Sequence, residues 1–164
     1  MTINMARTIT ALVQDKPGVL NRITSMFRRR GFNISSLAVG LSEQPNLSRM
    51  TFVVQGDDAV VEQLLKNLEK LIDVIKVSAA PNEDVVSREL ALIRVSATPD
   101  TRKEIVQIAD IFRAHIVGVS PDSMIIEVAG DADKMTSLQD LLKGYGLLEV
   151  MRTGTIVMHR GKAA

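Results

Sequence analysis

The chain has 164 residues, of which 46% are hydrophobic and 24% charged, and its formal net charge is +1. The absence of cysteine excludes disulfides, thiolate metal sites and a cysteine nucleophile, and the near-neutral charge argues against an extended surface for nucleic acid. No apolar run approaches the length of a membrane span, and residues 1–7 lack the apolar core of a signal peptide. We therefore expect a cytoplasmic protein with no membrane partner.

The first half of the chain predicts six secondary-structure elements. Alternating apolar residues indicate strands, and apolar residues at helical spacing indicate helices. In order, the elements are a strand at Arg7–Val13, a helix from Pro17 that ends at Arg30-Gly31, strands at Phe32–Leu41 and Ser48–Gln55, a helix capped by Gly56-Asp57, and a strand at Val74–Ala79. The order β-α-β-β-α-β predicts a ferredoxin-like, four-stranded antiparallel sheet with both helices on one face.

The second half repeats this pattern after a polar, breaker-rich segment at Ala80–Asp84. Its predicted elements are a strand at Leu90–Ala97, a helix from Thr98-Pro99-Asp100, strands at His115–Val119 and Met124–Ala129, a helix capped by Gly130-Asp131, and a last strand at Leu147–His159. The helix sequences also match between the halves, as internal repeats do. We therefore predict an α+β fold with two tandem ferredoxin-like βαββαβ domains, residues 1–80 and 88–164, joined by a linker at 81–87.

The turn between the first strand and the first helix is the candidate binding loop. Asp15 is expected to cap the helix, Pro17 to lie in its first turn, and Gly18 to let a ligand approach the backbone. The free N–H groups of Gly18, Val19 and Leu20 would then suit a small carboxylate. A purely structural role stays open for this segment taken alone, because every strand-to-helix turn needs a cap. The second domain has no glycine after Pro99, so we expect binding only in the first.

The second strand should form an edge of its sheet, and its start, Phe32–Leu37, has no charge or proline to prevent pairing. Two copies pairing there would form a continuous eight-stranded sheet with two-fold symmetry. This arrangement would bring Asn33 and Ile34 of one copy to the loop of the other. Asp15 and Asn33 would contact an ammonium group, and Val19, Leu20 and Ile34 would supply an apolar wall. Such a pocket fits a free aliphatic α-amino acid.

Several runs together carry a family resemblance. The segments Thr10–Leu20 and Gly31–Leu37, with Phe27, resemble an ACT domain. The runs Leu47-Ser48-Arg49-Met50-Thr51 and Arg88–Val95 make the chain similar to the regulatory (small) subunits of acetohydroxyacid synthase, which is also called acetolactate synthase. The resemblance extends over nearly the whole chain.

The resemblance implies a non-catalytic protein of branched-chain amino acid biosynthesis. Its partner would be the catalytic (large) subunit, which uses thiamine diphosphate, FAD and Mg²⁺, whereas this chain would hold no cofactor. The small subunit would activate that enzyme and confer feedback inhibition by valine. The second domain and the outer face of the first would contact the catalytic subunit.

The implied effector site lies between the ACT domains of a homodimer. It would use Asp15, Gly18, Val19 and Leu20 from one chain with Asn33 and Ile34 from the other, and the dimer edge would include Phe32, Ser35, Ser36 and Leu37. Some family members have Asn where this chain has Asp15. That change could alter effector affinity or its pH dependence.

Two other functions compete with this one. An enzyme is disfavoured because the only histidines, His115 and His159, have no metal-ligand spacing, and the pairs Asp57-Asp58 and Asp131-Asp133 fit helix caps. An ACT-type module that serves another enzyme or regulator is the alternative. No DNA-binding motif accompanies Arg28-Arg29-Arg30, which is typical of a solvated helix end.

Overall fold

The computed structural model describes residues 5–80 and 85–161. The elements of the first half are β1 (Ala6–Gln14), α1 (Val19–Arg29), β2 (Ile34–Leu41), β3 (Leu47–Gln55), α2 (Asp58–Glu69) and β4 (Val74–Ala80). Those of the second half are β5 (Val85–Ser96), α3 (Arg102–Ile111), β6 (His115–Val119), β7 (Ser123–Gly130), α4 (Ala132–Lys143), β8 (Leu147–Arg152) and β9 (Ile156–His159). Residues 81–84 of the predicted linker lie outside the described residues.

The first four strands form one antiparallel sheet in the order β2-β3-β1-β4. Alternate residues of the central strand β1 face the helices, which is why Ile9, Ala11 and Val13 are all buried. They pack in one hydrophobic core with residues from α1, β3 and α2, namely Val19, Ile23, Met26, Phe27, Met50, Phe52, Val54, Val61, Leu64 and Leu68. The predicted sheet, with β2 at its edge, is confirmed.

The second sheet repeats the first in the order β6-β7-β5-β8, and β9 also pairs with β5. Its core has the same construction, with alternate residues of β5 and β7 packed against α3 and α4. The fully buried members include Ile93, Val95, Ile105, Ile126, Met135, Leu138 and Leu142. The predicted fold class, two tandem ferredoxin-like domains, is confirmed.

The first and last strands of the second half differ from the sequence prediction. The strand expected from Leu90 begins at Val85, and the single last strand is divided into β8 and β9. The break has a local cause: Thr153 hydrogen-bonds both backbone groups of Leu90, and Gly154 then takes a left-handed conformation with φ +89°. A regular ladder cannot continue through that geometry.

Residue contacts divide the chain into two compact units. The first contains the residues up to Val86 together with those from Thr155 onward, and the second is Ser87–Gly154. Strand β9 therefore belongs to the first unit, where the Thr155 N–H donates to Ser36 Oγ at 2.9 Å.

Helices α2 and α4 begin in the same way, and both caps were predicted from the sequence. Asp57 accepts a hydrogen bond from the Val60 N–H, and Asp131 accepts one from the Lys134 N–H, both at 2.9 Å. The two residues are extended N-caps that satisfy a backbone donor of the first turn. Their carboxylates are thus engaged in helix capping, which is the role expected for them.

We predict that Asp57→Ala and Asp131→Ala each lower the free energy of unfolding by about 1 kcal/mol, because each leaves a first-turn N–H without its acceptor. Urea denaturation followed by circular dichroism measures the loss. Asp133→Ala is the control, because Asp133 lies in the first turn of α4 without being the cap. An equal loss in all three variants would contradict the assignment of the caps.

Candidate functional site

The candidate loop, Asp15–Gly18, begins where β1 ends and is held by two backbone hydrogen bonds. The Gln14 N–H donates to the carbonyl of Asp73, and the Asp15 N–H donates to the carbonyl of Asn46, both at 2.8 Å. Each acceptor lies in a connection between other elements, Asp73 just before β4 and Asn46 just before β3. The start of the loop is therefore hydrogen-bonded to the connection before β4 and to the connection before β3.

Gly18 ends the loop in a left-handed conformation, with φ +87° and ψ −9°. It is the N-cap of α1, and no side chain caps this helix. The predictions that Asp15 caps the helix and that Pro17 lies in its first turn are therefore wrong. Because Gly18 is left-handed, the helix begins only at Val19. Asp15 Oδ1 does not cap it and accepts a hydrogen bond from Ser48 Oγ on β3 at 3.2 Å.

The backbone amides at the start of α1 are only partly engaged. The Val19 N–H donates to the carbonyl of Lys16 at 3.3 Å, and the first bond of the helix joins the Arg22 N–H to Gly18 O at 3.0 Å. The N–H groups of Gly18, Leu20 and Asn21 have no acceptor among the described residues. All three residues are exposed, so these donors at the positive end of the helix dipole are available to an anion.

An ion pair that the sequence did not predict supports the same loop. Arg22 Nε donates to Asp73 Oδ2 at 2.6 Å, and the Asp73 side chain is 10% exposed while that of Arg22 is 51% exposed. Asp73 thus binds Gln14 through its carbonyl and Arg22 through its carboxylate. The two charged residues are 51 positions apart, so no local pattern in the sequence could indicate their contact.

The apolar residues of the predicted site differ in what they can offer a ligand. The Val19 side chain is 3% exposed and packs in the core, so only its backbone faces the loop surface. Leu20 is 44% exposed. Asn33 is exposed, and Ile34 is half-buried against the core.

Within one copy, Asn33 and Ile34 are far from the loop. Ile34 pairs with Val54 near the end of β3, whereas Asp15 contacts Ser48 at its beginning. Those two positions are six steps apart along the strand, which is about 20 Å at the usual rise per residue. A site that uses both groups therefore requires a second copy.

The edge strand β2 is less regular than predicted. Its register shifts between Ile34 and Ser36, which makes Ser35 a bulge, one of the features that limit pairing at sheet edges. Phe32 precedes the strand and packs edge-to-face on Phe27 with ring centroids 6.3 Å apart. Leu37 packs against the core. The expectation that nothing interrupts this edge is therefore wrong at Ser35.

The corresponding loop of the second unit has the same backbone bonds and different chemistry. The Ser96 N–H donates to Gly146 O at 2.8 Å and the Ala97 N–H donates to Asp122 O at 2.9 Å, as Gln14 and Asp15 do in the first unit. Ala97 and Gly146 thus stand where the first unit has Asp15 and Asp73. Thr101, the N-cap of α3, has an ordinary φ of −86°. The second loop therefore lacks both carboxylates and the left-handed glycine.

Within residues 5–80 and 85–161, no three His, Cys, Asp or Glu residues lie together in a group that could hold a metal ion. None of the helices in those ranges has the length and apolar character needed to span a membrane.

Known proteins match both halves of the chain. A family model described as an AHAS small subunit-like ACT domain matches residues 9–76, and one described as the small subunit of acetolactate synthase matches residues 88–161. A protein of Archaeoglobus fulgidus named "Probable acetolactate synthase small subunit" is 58% identical over 157 residues, which are 96% of this chain and 98% of the relative. This chain belongs to the acetolactate synthase small-subunit family.

Other small subunits agree with this assignment. The acetolactate synthase small subunit of Mycolicibacterium smegmatis is 48% identical over 94% of this chain and 92% of its own length. The crystal structure of the acetolactate synthase small subunit from Thermotoga maritima matches with a TM-score of 0.89 at 41% identity, covering 97% of this chain and 99% of that one. The ACT model of the family spans β1 to β4 and so includes the whole Asp15–Gly18 loop.

We predict that Gly18→Ala lowers the free energy of unfolding by about 1–2 kcal/mol, because a side chain at φ +87° meets its own backbone. Gly40→Ala is the matched control, since its added methyl would have nothing within 4 Å and its backbone is not left-handed. Urea denaturation compares the two. Equal stability of both variants would show that the left-handed conformation is not needed at this position.

Proposed function

We propose that this small subunit binds the catalytic (large) subunit of acetolactate synthase, raises its activity, and makes it sensitive to inhibition by valine. The catalytic partner would carry thiamine diphosphate, FAD and Mg²⁺, and this chain would carry no cofactor. The observation that carries the proposal is the Asp15–Gly18 loop, in which a left-handed glycine leaves backbone donors free at the start of α1 and Asp15 supplies a carboxylate. Residues 1–80 would bind the effector and residues 88–164 would contact the catalytic subunit.

The loop fits a free α-amino acid through its two charges. The effector carboxylate would accept from the N–H groups of Gly18 and Leu20, and its ammonium would donate to Asp15. Each charge-assisted hydrogen bond is worth about 1.5–3 kcal/mol. The exposed side chain of Leu20 would contact an aliphatic side chain, which favours valine, leucine or isoleucine.

The second half of the proposed site comes from another copy, and the register of the sheet supports this. In a two-fold pairing of β2 with β2, the Ile34 end of one strand lies beside the Leu41 end of the other. Leu41 pairs with Ser48, whose hydroxyl contacts Asp15. Such pairing would bring the second copy's Asn33 and Ile34 to the end of the sheet that carries the loop.

The exposed residues of β2 also support a homodimer. Val39 is 51% exposed and Leu41 is 80% exposed. Both follow the bulge at Ser35, in the part of the strand that continues regularly to Leu41. Pairing there would remove apolar side chains from water and satisfy the open backbone groups of the edge.

Inhibition requires the effector to bind two arrangements of the dimer with different affinities. An effector held by both copies stabilises the arrangement in which the loop of one and β2 of the other are close. The catalytic subunit would respond to that arrangement, and activation alone would not need the effector.

We predict that Gly18→Asp removes inhibition by valine and leaves activation intact, because its carboxylate would lie against that of the effector. Gly18→Asn is the matched control: it has the same shape, no charge, and a better tolerance of the left-handed conformation. The valine concentration that gives half inhibition of the reconstituted enzyme should be more than ten times higher for Gly18→Asp than for Gly18→Asn. Equal inhibition of wild type and Gly18→Asp would reject the site.

Asn33→Ala should weaken valine binding and leave folding unchanged, because Asn33 is exposed. Calorimetry with valine, leucine and isoleucine on the full-length protein measures affinity and preference, and thermal unfolding checks the fold. Wild-type affinity in this variant would remove Asn33 from the site.

Conversion of pyruvate to acetolactate by this chain alone would contradict the non-catalytic role.

A further inference from the structure

We propose that the exposed face of α1 is a docking surface of the first unit for an acidic patch on the catalytic subunit. This surface, here called the arginine face, consists of Asn21, Arg22, Ser25, Arg28, Arg29 and the adjoining Leu71. The inference rests on the proposed function only in requiring a catalytic subunit. It assigns residues of α1 to the contact expected from the outer face of the first domain, beside the contact expected from the second domain.

The arginine face follows from the amphipathic pattern of α1. One side of the helix, with Val19, Ile23, Met26 and Phe27, is buried in the core. The opposite side carries three arginines, and the helix contains no acidic residue. Arg22, Arg28 and Arg29 line a surface pocket of about 380 Å³ with Asn21, Ser25 and Leu71. Residues two turns apart in the helix thus surround the same concave surface.

Two of the three arginines of this face, Arg28 and Arg29, have no ion-pair partner within the described residues. Arg7, Arg22 and Arg49 of the first unit each pair with a carboxylate. No ion pair within residues 5–80 and 85–161 involves Arg28, Arg29 or the following Arg30. A favourable interaction with the helix C-terminus explains cations in the last turn. It does not explain why they share a pocket with Arg22 and Leu71.

Aliphatic side chains adjoin the arginines. Leu71 is half-buried and lines the pocket, and the next residue, Ile72, is 89% exposed. Ile75, at the beginning of β4, is 53% exposed. Arginines beside exposed aliphatic side chains are typical of protein interfaces, where bidentate pairing with carboxylates accompanies apolar burial. The matching partner surface is one of Asp and Glu residues around an apolar centre.

The Leu71 part of the arginine face lies away from the proposed dimer edge. Leu71 and Ile72 lie just before β4, which is one edge strand of the first sheet, whereas the dimer would form through β2 at the other edge. Asp73 also connects this surface to the effector loop. Its carboxylate binds Arg22 and its carbonyl binds the Gln14 N–H, so a partner that contacts Arg22 contacts a residue that positions the loop.

The experiment titrates the catalytic subunit with full-length small subunit and records activation. For Arg28→Glu/Arg29→Glu we expect the apparent Kd to rise at least about tenfold, because two attractive charges become repulsive. For wild type, the apparent Kd should also rise with ionic strength, and this dependence should be weaker in the double variant. Valine binding to the isolated double variant, measured by calorimetry, should equal that of wild type.

Two controls isolate the charge and its place. Arg28→Lys/Arg29→Lys keeps the charge and should stay within about threefold of the wild-type apparent Kd. Lys66→Glu reverses an exposed charge of α2 that does not line the pocket, and should leave the apparent Kd unchanged.

Wild-type affinity of Arg28→Glu/Arg29→Glu for the catalytic subunit would overturn the proposal and leave the proposed function standing. A second result would also overturn it: the wild type binds pyrophosphate and the double variant does not, while both bind the catalytic subunit with the same affinity. The surface would then be a small-anion site. If wild type itself failed to activate the catalytic subunit, the proposed function would fail, and the docking surface with it.

Discussion

The two backbone hydrogen bonds that hold the start of the Asp15–Gly18 loop are the constraint on which the proposed site depends. They fix Gln14 to Asp73 and Asp15 to Asn46, so the chain must reach α1 in a short turn. A left-handed glycine completes that turn and leaves the Gly18 and Leu20 amides without acceptors. Had Asp15 capped the helix, its carboxylate would have occupied a backbone donor that we propose for the effector carboxylate.

The two units show how one fold can keep its framework and change its chemistry. Both sheets have the same strand order, and both loops are held by equivalent backbone bonds. These bonds use only backbone atoms, so the side chains at those positions are free to differ. Asp15 and Asp73 in the first unit correspond to Ala97 and Gly146 in the second, and only the first unit carries the charged groups of the candidate site.

Most of the fold and the position of the loop could be predicted from the sequence, because apolar periodicity records which face of each element is buried. The Asp57 and Asp131 caps were also predictable, since a cap and its helix are adjacent in the chain. The Arg22–Asp73 pair, the Ser48–Asp15 bond and the return of β9 to the first unit were not. Each depends on residues that only the folded chain brings together. The Asp15 cap was predicted wrongly because the sequence does not distinguish an aspartate that caps the next helix from one that binds a residue far along the chain.

A mixed dimer tests most directly whether one effector site is built from two copies. One chain carries Gly18→Asp and the other Asn33→Ala, so a shared arrangement leaves one site in which both halves are unchanged. Calorimetry on the purified mixed dimer should then show one valine bound per dimer with wild-type affinity, which neither variant homodimer shows. Absence of any wild-type-affinity site in the mixed dimer would contradict a site shared between the loop of one copy and β2 of the other.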